Sequence, residues 1–333
     1  MDVMQFSSVK FRHKVPAPKW FNPFKKQHGA GIAELDLTLQ SGQIIGLVGT
    51  NGAGKTTLLR MMSGVLPIES GNVTANGAIL SSQELRRRVG FMPEHVRWSG
   101  HETVEQTLVE FALLRGCLKD SALEILSVIG LKNRASSALD SLSQGMRQRL
   151  SLGIALLGTP DVLVLDEPFN GMDPVAIDAF KRLLQSLARK GITIVISSHH
   201  LFELDQLIDT LALLHRGQLV AHGTTISIQE TLGFEQLTEV CLDSELPKKL
   251  VQDLEILEQS STDRTHHMIL QNAPRNLLKD IVQSGIGVIT WREIQPSLIE
   301  LLCAATGLDR KSIGMDVENS AWLPMRKLQE EEE

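Results

Sequence analysis

The stretch Ile44-Ile45-Gly46-Leu47-Val48-Gly49-Thr50-Asn51-Gly52-Ala53-Gly54-Lys55-Thr56-Thr57 decides the fold. Its apolar run suits a strand buried on both faces. A glycine-rich turn follows, and Lys55 to Ser63 then reads as a helix. The turn has the form G-x-x-x-x-G-K-[ST]. Its glycines let backbone N–H groups converge on phosphate oxygens, and the helix N-terminus adds positive potential. Gly49, Thr50, Asn51, Gly52, Ala53 and Gly54 therefore form a candidate nucleotide cradle. Lys55 would reach the β- and γ-phosphates, Thr56 would ligate Mg²⁺, and Thr57 would bond the α-phosphate. A dinucleotide site is not expected, because the G-x-G-x-x-G spacing is missing.

Working outward, Val162-Leu163-Val164-Leu165-Asp166-Glu167 is an apolar strand ending in two carboxylates. Asp166 would hold Mg²⁺ through water. Glu167, one residue on along an extended chain, points another way. It is the candidate base for the water that attacks the γ-phosphate. Ile192 to Ile196 is another apolar, β-branched run, and the helical stretch Pro174 to Arg189 lies between the two. Strands alternating with helices predict an α/β fold. Residues 99–158 read as mostly helical, and Leu211 to His222 as two strands around Arg216-Gly217. At the N-terminal end, MQFSSVKF (4–11) reads as a strand, and HKVPAPKWFNPFKKQHG (13–29) as a loop or insertion. In the tail, Gly285 to Trp291 and then Pro296 to Leu302 read as strand then helix.

With 333 residues, 42% of them hydrophobic and 22% charged, the chain can bury a real core and is neither disordered nor fibrous. No run is apolar enough to span a bilayer, and the first residues do not form a signal peptide. Cys117, Cys241 and Cys303 are odd in number and far apart, which fits a reducing cytoplasm better than a disulfide or metal framework. The net charge of −6 argues against a nucleic-acid partner. Residues 229–333 carry 10 basic and 19 acidic residues, whereas the rest is slightly basic. That shift predicts a domain boundary near 228, with 229–333 an accessory α+β domain for dimerisation or regulation.

Further motifs make the pattern specific. Gly90-Phe91-Met92-Pro93-Glu94, Leu142-Ser143-Gln144-Gly145-Met146-Arg147-Gln148-Arg149, Asn170-Gly171-Met172-Asp173-Pro174 and Ser197-Ser198-His199 lie around the first two. In order and spacing they resemble the Q-loop, signature, D-loop and switch histidine of the ABC superfamily of transport ATPases. The resemblance covers residues 1 to about 225. The forms of the motifs look most like the subunits of exporters whose membrane domain is a separate polypeptide. It implies a P-loop NTPase fold of ABC type, with a mixed-sheet core and a helical subdomain, followed by the smaller C-terminal domain. It also implies an ATPase with ATP and Mg²⁺ as cofactors, and two copies packed head to tail. Each ATP would then lie between Lys55 of one copy and Ser143, Gln144 and Gly145 of the other, with Asp173 among the contacts. Ser143 opens an apolar-periodic helix, so its hydroxyl is also a candidate N-cap. His199 would touch the γ-phosphate and orient the water. The partners implied are an integral-membrane permease and a second ATP-binding subunit, which would hold the chain on the inner face of the cell membrane. The alternatives are a soluble ATPase of the same superfamily acting on nucleic acid or the ribosome, and a module that binds ATP without cleaving it.

The chain departs from the family pattern at several points. Glu94 stands where the family has Gln, and is expected to ligate Mg²⁺ and keep the coupling role. Val96, Arg97 and Trp98 beside it are candidates for contacting the membrane subunit. Gln144 replaces a glycine and Met146 a glutamine. The family's adenine-stacking Tyr has no counterpart, since the chain has no Tyr at all. By position His13 fits that role best, with Phe11 next. The segment Lys14 to Lys26 joins lysines to Trp20, Phe21 and Phe24, and reads as a hairpin insertion packed on the domain, with a headgroup contact as the other reading.

Overall fold

The computed structural model describes residues 2–16, 26–251, 254–262 and 265–308. It divides into two compact units, Met1–Thr224 and Thr225–Glu333. The first begins with β1 (Asp2–Pro16), β2 (Lys26–Gln40), β3 (Ile44–Gly49) and α1 (Lys55–Met62). Next come β4 (Ser70–Ala75), β5 (Ala78–Ile79), α2 (Ser82–Arg88) and β6 (Val89–Met92). Three helices follow, α3 (Val104–Leu114), α4 (Lys119–Val128) and α5 (Gln144–Leu156). The chain then returns through β7 (Val162–Asp166), α6 (Pro174–Arg189), β8 (Thr193–Ser197), α7 (Leu201–Asp205), β9 (Thr210–His215) and β10 (Gln218–Gly223).

Six strands form one sheet in the order β10-β9-β3-β8-β7-β6, parallel except for β10 at the edge. β7 and β8 are buried at every position, which is why they read as unbroken apolar runs rather than alternating ones. In such a sheet ligands collect beyond the carboxyl ends of the strands. The ends of β3, β7 and β8 are where the phosphate turn, Asp166 and the His199 segment emerge. A second sheet, β2-β1-β4-β5, is antiparallel. Its Met4, Phe6, Leu35 and Leu37 share one core with Leu58 and Met61 of α1 and with Val162 and Val164 of β7. Each of these large side chains contributes on the order of 1.5–3 kcal/mol by burial, so the phosphate turn leaves a rigid base.

The helical stretch holds α3, α4 and α5. Thr103 and Gln106 form a capping box at the start of α3. A Cβ on Gly153 would lie 2.8 Å from Ile129 Cδ1, so the glycine lets α5 approach the end of α4 closely. Trp98 turns into this packing. Its Nε1–H donates to Ser151 Oγ at 2.8 Å and its ring meets Phe111 edge-on. Trp98, a candidate for contacting the membrane subunit, is half-buried and helps anchor the helical layer, while Arg97 beside it is exposed.

The N-terminal strand is longer than its sequence pattern suggests. β1 continues through His13 to Pro16 and pairs with β2 at Lys14↔His28, Val15↔Gln27 and Pro16↔Lys26. The expected loop thus begins as a hairpin, and β-bulges along the pair break the period-two pattern that would reveal a strand. Residues 17–25, with Trp20, Phe21 and Phe24, lie outside the described residues.

The second unit contains α8 (Thr225–Thr231), β11 (Leu237–Leu242), α9 (Lys248–Val251), β12 (Glu255–Ser261), β13 (His266–Gln271), α10 (Leu277–Gln283), β14 (Val288–Ile294) and α11 (Leu298–Thr306). α8 runs across position 228, so the structural division falls at Thr225, slightly before the charge shift. The antiparallel sheet β12-β13-β11-β14 buries Val240, Leu242, Met268 and Leu270 against Leu277 and Ile281 of α10. Glu239 pairs with His267 at 2.9 Å and with Arg292 at 2.5 Å across neighbouring strands. The hydrogen bond from His267, and then Arg292, hold its carboxyl below the usual range.

Candidate functional site

The phosphate turn is built by close approach. A Cβ on Gly49 would lie 2.3 Å from the carbonyl of Leu214 on β9, so only glycine fits where β3 ends. Gly54 caps α1 at φ 106°, in the left-handed region that glycine adopts freely. It brings no side-chain hydrogen bond to the first N–H groups of α1, which leaves them for an anion. The β9–β10 turn supports the loop from outside. Gly217 N–H donates to Ala53 O at 2.7 Å, and Ala33 N–H donates to Gly217 O. Lys55 curls back over the turn, its Nζ donating to Gly49 O at 2.6 Å and Thr50 O at 3.2 Å. Burial pushes its pKa down, and the carboxylates of Glu167 and Asp166 oppose that shift. Asn51 and Gly52 stand exposed at the crest.

Asp166, 2% exposed, closes β7. Its Oδ1 accepts from Ser197 Oγ at 2.6 Å and from Thr56 Oγ1 at 3.4 Å. One buried carboxylate thus joins the ends of β7 and β8 to the first turn of α1. Glu167 adopts φ 51°, a left-handed backbone uncommon for a non-glycine residue, and its N–H donates to Ser197 O. The Glu167 carboxylate therefore leaves the strand direction altogether. Its Oε2 accepts from the backbone N–H of His199 at 3.0 Å and pairs with His199 Nδ1 at 2.8 Å. Strained backbone persists only where surrounding bonds hold it, and it concentrates at functional sites. The His199 side chain is 56% exposed and lies against the ring of His200. Burial, then the charge of His199, lowers the His200 pKa. α7, which follows this segment, is tied to α6 by Lys181 Nζ, which donates to Glu203 and Gln206.

The other predicted residues fall in two places. His13 Nε2 lies 3.2 Å from Thr57 Oγ1 and its ring meets Phe11 edge-on, so both aromatic candidates border α1. The signature residues gather where α5 and α6 begin. Ser143 is the N-cap of α5, accepting from Met146 N–H, and Asp173 is the N-cap of α6, accepting from Ala176 N–H. A Cβ on Gly145 would lie 3.1 Å from Ala176 Cβ, which brings the two helices together. Asn170 links this group to the first. Its Nδ2–H donates to Glu94 Oε1 at 3.3 Å, and its carbonyl accepts from Gln144 and Gln148.

Lys55, Thr56, Asp166, Glu167 and His199 therefore meet in one cluster, with Glu94 reaching the D-loop through Asn170. Reading the sequence residue by residue overlooked Ser197, Asn170, Gln148 and Gly217. Ser197, Asn170 and Gln148 sit inside the switch, D-loop and signature motifs, and the signal for them is adjacency to His199, Glu167 and Ser143. Gly217 acts through its backbone and leaves no such signal.

A family model described as "ABC transporter" matches residues 32–170. The Nod factor export ATP-binding protein I of Burkholderia lata is 35% identical over 223 residues, which span 65% of this chain and 73% of that protein. The chain belongs to the ABC transporter family. The linearmycin resistance ATP-binding protein LnrL of Bacillus subtilis is 26% identical over 304 residues, 85% of this chain and 96% of that protein. Among solved structures, an ATP-binding subunit of an ABC transporter superposes with a TM-score of 0.58 at 26% identity, over 69% of this chain and 93% of that one. As a member of the ABC transporter family the chain has the ABC ATPase cassette fold and is a transporter ATP-binding subunit, and ATP hydrolysis is the reaction of its class. Among the described residues no helix is long and apolar enough to cross a membrane.

Removing the hydroxyl that steadies Asp166 tests the cluster without touching a predicted ligand. Ser197→Ala should cost about 1–3 kcal/mol of stability, because it strips a buried carboxylate of a donor. It should also raise the Mg²⁺ concentration for half-maximal ATP hydrolysis about tenfold or more. Thermal melts and a magnesium titration check the two effects.

Proposed function

We propose that this chain is the ATPase subunit of an exporter, binding MgATP between two copies and driving a separate membrane permease from its cytoplasmic face. The observation that carries the reading is the Glu167 carboxylate, fixed by both the N–H and Nδ1 of His199 beside the Lys55 turn. Lys55, whose Nζ already lies along the turn, would donate to the β- and γ-phosphate oxygens, together with the N–H groups of the loop and α1. Glu167 would take the proton of the attacking water, and His199 would steady Glu167 and the γ-phosphate. Ser143, Gln144 and Gly145 of the second copy would close the site, with that copy's Asp173 nearby.

The oxygen donors fit Mg²⁺. Thr56 Oγ1 and the buried Asp166 Oδ1 lie 3.4 Å apart, and hydroxyl and carboxylate are the hard ligands this ion takes. Thr56 and Asp166 would hold it, with Glu94 as a further carboxylate. Bound there, Mg²⁺ would neutralise charge on the phosphate oxygens.

Export, rather than transport alone, is supported by the Nod factor export relative and by the style of the motifs. A phosphate-release assay on the purified chain tests the reading. Release that requires ATP and stops on chelation of Mg²⁺ supports it, and ATP binding without release overturns it.

His13 would stack on adenine. His13→Ala should then raise the KM for ATP about fivefold or more with kcat little changed, since base stacking contributes about 1–3 kcal/mol. Steady-state kinetics across ATP concentrations check it, and an unchanged KM would remove His13 from the site.

A further inference from the structure

We infer that Asn170 is a positioning residue that holds Glu94 and, through Gln144 and Gln148, ties it to the turn that opens α5. The inference rests on the proposed ATP site, where Glu94 faces one nucleotide and the α5 turn is offered to the other. Four bonds converge on this one residue. Its N–H donates to Glu167 O at 3.3 Å, and its Nδ2–H to Glu94 Oε1 at 3.3 Å. Its carbonyl accepts from Gln144 Nε2 and Gln148 Nε2, each at 3.4 Å. Each bond is long, so none locks the turn alone, and the convergence is what makes the residue a junction.

Asn170 turns its nitrogen, the donor end of the amide, to Glu94 Oε1. That leaves Asn170 Oδ1 buried with no hydrogen-bond partner among the described residues. An unsatisfied buried acceptor costs stability, and such costs are retained where a geometry serves the site. Gln148 is only 6% exposed, so its donor is committed inside the chain and cannot reach a second copy. Gln144 lies over the same turn, since a Cβ on Gly171 would fall 3.2 Å from Gln144 Cγ. The glutamine that replaces the family's glycine thus has a use. It fastens the α5 turn to the backbone that carries Glu94's partner. Displacing Glu94 drags Asn170, and Asn170 drags the start of α5, so the two halves of the shared site shift together.

The test exchanges donor and acceptor. Asn170→Asp sets a second carboxylate against Glu94, and should lower kcat about tenfold with the KM for ATP within about twofold. In the double variant Glu94→Gln/Asn170→Asp the amide and the carboxylate change sides and the bond re-forms. Its kcat should return to within about threefold of Glu94→Gln alone. A second arm reads assembly instead of turnover. In a Glu167→Gln background, Gln148→Met should raise the ATP concentration that half-dimerises the chain, measured by light scattering, at least about threefold. The affinity of the monomer for a fluorescent ATP analogue should not change. Wild-type kcat in Asn170→Asp, or a double variant more than about threefold slower than Glu94→Gln alone, overturns the inference, as does unchanged dimerisation in Gln148→Met. If Asn170→Asp no longer melts cooperatively, the Gln148→Met arm decides alone. A wild-type chain that releases no phosphate would instead overturn the proposed function, which keeps the two failures apart.

Discussion

Glu167→Gln should reduce ATP hydrolysis about 10²- to 10⁴-fold, the range lost with a general base. ATP affinity should stay within a few-fold of wild type. The substitution keeps the side-chain length and an oxygen able to accept from His199 N–H, so the left-handed turn at Glu167 loses little support. It removes the charge that attracts a proton from water. With chemistry stopped and binding intact, ATP should hold two copies together, visible as a dimer by light scattering that disperses when ATP is removed. Phosphate release within about fivefold of wild type would exclude Glu167 as the base, because a base supplies far more than that.

Lys55→Met should affect binding as well as turnover. The ammonium would carry the attraction for the β- and γ-phosphates, and charge-assisted bonds of this kind are the strong ones. The expected loss is about 10- to 100-fold in ATP affinity, at about 1.5–3 kcal/mol for a hydrogen bond to a charged group. With the charge absent from the transition state too, hydrolysis should fall about 10²- to 10³-fold or more. The unliganded fold should tolerate the change. Burial disfavours the charged amine at this position, and Met has similar bulk without that cost. Melting temperature separates the two effects. Saturating ATP should stabilise the wild type by about 2.7 kcal/mol at a hundred times its Kd, and the variant at the same ATP concentration should keep only about 0.4–1.4 kcal/mol of that gain. An ATP-induced shift equal to wild type would contradict the assigned role.

Much of this was legible along the chain because the governing physics is local. β3, β7 and β8 announce themselves as unbroken apolar runs, since a doubly covered strand has no polar face. α6 covers Pro174 to Arg189, the stretch that reads as helical, and the structure shows it starting on an Asp173 cap with proline in its first turn. The phosphate turn is legible because only glycine permits such close backbone approach. What escaped depends on pairing between distant segments. β1 reaches Pro16 because β2 pairs with it, and the bulges hide that from the pattern. The tie between Glu94 and Asn170 spans 76 positions, and Ser197 meets Asp166 across 31. The bond from the Trp98 indole to Ser151 spans 53 positions. In the C-terminal unit the strands and helices are short, and the pairing Glu239–His267–Arg292 leaves no periodic trace.

The central claim is that ATP binding in this chain serves a membrane permease. It is tested most directly by expressing tagged Glu167→Gln in its native cell, solubilising the membranes with MgATP present, and identifying by mass spectrometry what copurifies. The account predicts a stoichiometric protein with several membrane spans, retained with ATP. Ribosomes, DNA or a chain recovered without any partner would contradict it.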